Sequence, residues 1–304
     1  MTASITALRR QINSAGDLKS VVRVMKASAA SAIGQYERSV AALADYARTV
    51  ERGLGVCLNS VDPSAGHTPL SPTRADDIVV HAVVFGSDQG LVGRFNEEVV
   101  DYAMAQLASS SAKVWAVGER VHERLLDAGM APEGLFAVPG GVEKITQLVG
   151  QILQKIPIPE NRAVGERQSA TLILFYNRPT DNAYNPVSQR LLPLDERWQL
   201  GLAHQPWPTA QRPEVLSARA QTLRAFIREY LFVSLFRASA ESLASENASR
   251  LAAMQRADRN IGELLQDLYA TYHRLRQAGI DEELFDVISG FDALSPNADA
   301  GSQR

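Results

Sequence analysis

The chain has 304 residues and a mass of 33.1 kDa, with 45% hydrophobic and 21% charged side chains, enough to build one large domain or two small ones. A formal net charge of −3, with no dense lysine-arginine cluster, argues against a general nucleic-acid binder. One cysteine, Cys57, excludes a disulfide framework and any multi-cysteine metal site; no run of about 18 apolar residues spans a bilayer, and the opening to Arg9 and Arg10 lacks the apolar core of a signal peptide, so a soluble, cytoplasmic protein is expected.

The prolines divide the chain. None of the 14 precedes Pro63, and none falls between Pro213 and Pro296. Proline removes a backbone donor and clashes with the preceding helical turn, so both ends can carry long helices and the middle cannot. The segment 1–59 reads as helix, with Ile5, Leu8, Ile12, Val21, Val24, Met25 and Ile33 recurring at three- and four-residue spacing. Residues 75–200 read as an α/β domain. Short β-branched runs at Asp77–Phe85, Lys113–Val117, Thr171–Tyr176 and, more weakly, Leu135–Val138 alternate with helical patterns at Glu97–Leu107, Arg120–Asp127 and Val142–Lys155. That alternation predicts a mostly parallel sheet with flanking helices, and Val187–Leu194 is read as an edge strand. Asn59–Arg74 and Leu202–Pro213 are proline-bearing connectors.

Residues 213–294 read as a second long helix, with stripes at Leu216, Leu223, Ile227, Tyr230 and Leu231 and at Ile261, Leu264, Leu265, Leu268 and Tyr272. From Glu214 to Ala278 it would reach roughly 95 Å, too long to stand without a partner. Runs of small residues, Ala27–Ala32 and Ala238–Ala253, let helix axes approach closely, so the two ends are expected to form a long antiparallel coiled coil. Gly279 is expected to break or kink the helix, with Asp281-Glu282-Glu283 as an acidic first turn after it. The tail 295–304 is polar and expected to be disordered.

Chemistry is sparse. Gly86–Gly93 follows the first strand, where a phosphate loop would sit. Its glycine gaps of three and two fit no dinucleotide fingerprint, and Arg94-Phe95 replace the lysine and hydroxyl of a P-loop. Ser87 and Asp88 lie in no nucleophile elbow. His67, His81, His122, His204 and His273 form no metal pair, and Cys57 has no nearby histidine. No cofactor is expected, and no catalytic set emerges.

Three stretches resemble the gamma subunit of rotary F-type ATP synthases. The most specific is Ala244-Ser245-Glu246 with Arg250-Leu251-Ala252-Ala253-Met254, Ala257 and Asn260, continued by Tyr272, Arg276-Gln277-Ala278, Glu282-Glu283-Leu284 and Gly290. The second is Ser87-Asp88-Gln89-Gly90-Leu91-Val92-Gly93-Arg94-Phe95-Asn96. The third is Arg10, Ile12 and Ser14 with Met25-Lys26 and Ala29-Ala30-Ser31. Departures at Asp17-Leu18, Ala32, Gln89, Val92, Asp281 and Phe291 fit a divergent bacterial branch, the sodium-type alternative among them.

The resemblance implies a non-catalytic central shaft inside a ring of three alpha and three beta subunits, with epsilon and the membrane rotor ring of c subunits at its foot. It places the protein peripherally on the cytoplasmic face of the bacterial membrane. It also implies contacts with the alpha-beta ring at Met25, Arg250, Arg276, Gln277, Asp281, Glu283 and Asp286. On the residues alone, Met25 also reads as coil core, Arg250 as an internal ion-pair partner, and Arg276 and Gln277 as a solvated helix end. Two other readings of the whole chain stay open. One is an enzyme on a nucleotide-binding α/β domain with a helical dimerisation module; the other is a coiled-coil adaptor.

Overall fold

The computed structural model describes residues 2–59, 79–108, 110–157, 170–181, 183–211, 213–215 and 218–294. Leu216, Asp77, Ile78, His67, most of the first connector and the tail 295–304 lie outside the described residues. The elements in chain order are α1 (Thr2–Asn59), β1 (Val79–Phe85), α2 (Phe95–Leu107), β2 (Ala112–Val117), α3 (Glu119–Asp127), β3 (Gly134–Phe136), α4 (Val142–Lys155), β4 (Ala170–Pro179), β5 (Tyr184–Leu192), α5 (Glu196–His204) and α6 (Arg219–Leu294). They divide into two compact units. One comprises residues 1–27 and 254–304, the other residues 28–253.

In the larger unit a five-stranded sheet has the order β3-β2-β1-β4-β5, parallel except where β5 pairs antiparallel with β4. Alternate strand residues point to opposite faces. Ala82, Val84 and Phe175 pack with Val99, Val100 and Ala103 of α2 and Val121 and Leu125 of α3. Val83, Phe85, Leu174 and Tyr176 pack on the other face with Ile145, Leu148 and Ile152 of α4, Tyr36 of α1, and Leu231, Leu235 and Ala238 of α6. Helix α6 is therefore itself a layer of this core: every residue from Ala238 to Glu246 is buried. The run of small residues serves that burial, since a helix surrounded on all sides needs short side chains. A third cluster joins Val50 and Leu54 of α1 to Phe226 and Val233 of α6 and to Trp198 and Leu202 of α5. Helix α5, capped by the Asp195 carboxylate accepting from the Trp198 N–H at 2.8 Å, occupies part of what the prolines mark as connector.

In the smaller unit, residues withdrawn from solvent on α1 include Ile5, Leu8, Ile12, Ala15, Lys19, Val22 and Lys26, with Gly16 and Met25 beside them. On α6 they include Met254, Asp258, Ile261, Leu265, Leu268, Tyr272 and Leu275. Both sets alternate steps of three and four, the 3.5-residue period of a coiled-coil seam. Arg9 donates to Tyr272 and Lys26 to Asp258, so sequence runs in opposite senses along the two helices. The expected phase of α1 needs correction: Val21 and Val24 are exposed, and Val22 fills the seam. The apolar pattern has two seven-residue phases one position apart, and contact with α6 selects the one holding Ile12 and Val22.

The expected break at Gly279 is also corrected, because α6 runs unbroken to Leu294. A lone glycine costs a helix about 1 kcal/mol against alanine, too little to end it where no proline follows. Asp281, Glu282 and Glu283 are accordingly mid-helix and exposed.

Candidate functional site

Strand order reverses between β1 and β4, and in a doubly wound sheet the crevice at that point is where ligands bind. The loop Gly86–Gly93 occupies it, and its polar groups are taken up by the chain. The Ser87 N–H donates to Asn96 Oδ1 at 3.0 Å, Asn96 Nδ2 donates to Ser87 Oγ at 2.9 Å, and Ser87 Oγ donates to the Gln89 carbonyl. Asp88 accepts from the N–H of Glu119 at the start of α3 and from the N–H of Val138, both at 3.0 Å. Asn177 donates to the Phe95 carbonyl, and Ser249 of α6 donates to the carbonyl of Val92. Ser87 and Asp88 thus brace strand ends and cap a helix, and α6 sits against the loop where a nucleotide would lie in a dinucleotide-binding sheet.

Beside this loop, Arg250 donates from Nη2 to Glu246 Oε1 at 2.7 Å, one helical turn apart. Side-chain exposure is 13% for Arg250 and 7% for Glu246, so the structure spends the guanidinium inside the chain. Burial pushes the Glu246 carboxyl above its ordinary range; the Arg250 charge opposes this, and the Asp88 charge adds to it. Burial likewise raises the Tyr36 phenol, with the Glu246 charge next in weight. A second buried acid, Glu241, accepts from Arg178 of β4 at 3.0 Å and from Arg237 at 2.8 Å, tying α6 to the sheet.

The other expected contact residues lie in the smaller unit. Met25 is half-buried beside the seam, and Arg276, Gln277, Asp281, Glu283 and Asp286 are all exposed on α6. Seven residues before Arg9 stands Thr2, and seven after Tyr272 stands Gly279, so the start of α1 lies opposite α6 near Gly279. The remaining residues, 280–294, continue as a single helix about 22 Å long. On it Ile280, Leu284, Val287, Ile288 and Phe291 are 49–71% exposed. Their spacing of four, three, one and three residues puts them on one side. In the sequence the acids of this end stand out and the apolar stripe does not: its signal is the spacing of these five residues, which the expected break at Gly279 interrupts. Among the described residues no group of acids, histidines and cysteine is placed to hold a metal ion, and no helix is long and apolar enough to cross a membrane.

A family model described as ATP synthase matches residues 4–294. The ATP synthase gamma chain of Granulibacter bethesdensis is 27% identical over 307 residues, covering 96% of this chain and 100% of that protein. The ATP synthase gamma chain of Rhodospirillum rubrum is 26% identical over 309 residues with the same coverage. Among solved structures, a chain of the Euglena gracilis mitochondrial ATP synthase, OSCP/F1/c-ring in rotational state 3, has the same fold with a TM-score of 0.64 at 14% identity, covering 100% of this chain and 99% of that one. A chain of the Tetrahymena thermophila mitochondrial ATP synthase central stalk and c-ring gives 0.53 at 20% identity, covering 78% and 99%.

Proposed function

The chain belongs to the ATP synthase gamma-chain family, and from that premise we propose that it is the central rotor shaft of an F-type ATP synthase, carrying rotation to beta-subunit sites where ATP is made or hydrolysed. It is a non-catalytic subunit of that complex. The observation that carries the reading is the end of α6. Among the described residues nothing covers this stripe; a helix with an uncovered apolar stripe is unstable in water, and it becomes intelligible if a ring of other subunits receives it. Exposed acids at Asp281, Glu283 and Asp286 beside the stripe give the surface an unequal face, so each ring subunit meets a different contact. Differential contact of that kind biases otherwise equal sites toward different nucleotide affinities. The partners are three alpha and three beta subunits around the shaft, with epsilon and the rotor ring of c subunits at its foot. The cytoplasmic face of a bacterial membrane, with ion transport through other subunits, is the setting that follows.

Mixing the purified chain with alpha and beta subunits is expected to yield a discrete complex with one copy of this chain. A chain that binds nucleotide alone and ignores the ring would remove the shaft reading and favour a nucleotide-binding enzyme.

Arg276 and Gln277 are proposed as ring contacts. Arginine offers a planar fork of donors suited to acidic loops, and an exposed pair of this kind is worth about 0–1 kcal/mol to folding. Arg276→Ala with Gln277→Ala should leave the melting temperature of the free chain near wild type and lower coupled turnover of the assembled enzyme. Wild-type coupling would remove both residues from the contact surface, and a large loss of monomer stability would make them structural.

A further inference from the structure

Among the described residues the seam of the smaller unit is interrupted by charge between Lys19 and Lys26 of α1 and at Asp258 of α6. Lys19 and Lys26 stand at seam positions of α1, and Asp258 stands at a seam position of α6. Lys26 Nζ donates to Asp258 Oδ2 at 2.8 Å, and Arg23 Nε lies 3.8 Å from Oδ1. The Asp258 side chain is only 20% exposed, and its Oδ1 is buried without a hydrogen-bond partner. The hydrogen bond from Lys26 holds the Asp258 carboxyl below its ordinary range, with the charges of Lys26, Arg23 and Lys19 adding to the effect. One turn further along α6, Gly262 leaves open the space that the Lys19 ammonium approaches, since a Cβ there would come within 3.3 Å of Nζ. A cluster of three cations on one helix therefore meets a single carboxylate and a single gap on the other.

An apolar seam repeats every seven residues, so apolar contact alone favours several registers almost equally. A polar residue at a seam position costs stability and fixes register, because it is satisfied in one alignment only. Sliding α6 by one heptad would bring Asp258 to Lys19 but leave Lys26 without a carboxylate and set Ile12 over the gap at Gly262. We propose that Lys26 and Asp258, with Lys19 seated at Gly262, are positioning residues that lock the axial register of the two helices, and through it the reach and facing of the apolar tip at 280–291. The lock itself is a property of the chain; its bearing on coupling rests on the rotor-shaft reading.

The test is the double variant Lys26→Leu with Asp258→Leu, which keeps the seam packed, beside the conservative Lys26→Arg. Spin labels at the exposed positions Asn13 and Gln266 of the full chain report register as a distance distribution. The double variant should melt at or above wild type, its distribution should broaden or split, and coupled turnover in the assembled complex should fall by at least about threefold. Lys26→Arg should match wild type in all three. A single narrow distribution in the double variant would overturn the lock. A broadened distribution with wild-type coupling would overturn the positioning role. A wild-type chain that fails to assemble with alpha and beta subunits would count against the shaft reading and leave the lock to be judged on the distances.

Discussion

Replacing Arg250 by alanine is expected to destabilise the chain by about 3–5 kcal/mol, the cost of leaving a buried charge without its partner. Glu246 would keep its buried place on α6 with its Arg250 partner gone and the Asp88 charge still raising its pKa. The sign of the pH dependence follows. Glu246 already has a folded pKa above its unfolded value, so the folded state holds more protons than the unfolded one between the two, and stability falls as pH rises through that window. Without Arg250 the folded pKa rises further, so the deficit against wild type should grow as pH rises above the ordinary carboxyl range and shrink toward acid. Denaturant titration across that range measures it. Arg250→Met with Glu246→Leu should recover much of the loss, since a well-packed apolar pair replaces a buried ion pair at little cost. A loss in Arg250→Ala below about 1 kcal/mol and flat with pH would mean that the guanidinium is used outside the chain after all.

Gly118→Ala is expected to cost about 3 kcal/mol or more, for two separable reasons. Gly118 has φ +114°, a conformation that residues with a Cβ adopt at a cost of about 1–3 kcal/mol. A methyl group there would also stand 2.7 Å from the Ser87 carbonyl oxygen and 2.9 Å from its nitrogen. Ser87 cannot yield: its N–H donates to Asn96 and its carbonyl accepts from Arg120 at the start of α3. Gly90 lies in the same loop as Ser87 with nothing within 4 Å of its Cβ position, so Gly90→Ala should change the unfolding free energy by no more than about 0.5 kcal/mol. Equal effects at the two glycines would mean that the loop deforms freely, contrary to the hydrogen bonds that hold it.

The architecture was legible because its signals are local. Proline exclusion marked both long helices, and β-branched runs placed β1, β2 and β4 within a few residues. What misled were features with two local solutions. Val21 and Val24 satisfy a three- and four-residue spacing as well as Val22 does, and only the partner helix decides between phases. Gly279 followed by three acids has the form of a helix end and a new start, yet one glycine is a weak stop. Arg250 shows the limit most clearly. Its position in a recognisable stretch implied an outward contact, while Glu246 one turn earlier offered an inward one. The structure shows the inward ion pair with Glu246, and its surroundings include Tyr36 of α1 and Asp88 of the loop at Gly86–Gly93, residues far away in sequence.

That distance has a consequence for how the molecule comes into being. The bonds from Lys26 to Asp258 and from Arg9 to Tyr272 join residues 232 and 263 positions apart. One face of the sheet is closed by Leu231, Leu235, Ala238 and Leu243, which are also late in the chain. A polypeptide made from its N-terminus therefore exposes that sheet face and the seam of α1 until synthesis is almost finished, and contacts of such long separation form slowly. A chain cut short before about residue 240 could make its strands and α2 to α4 but would leave an apolar face uncovered, open to chaperones and proteases. Completion is thus written into the core: the same helix that closes the sheet ends in the tip, so a chain can present that tip only after the core behind it has been sealed.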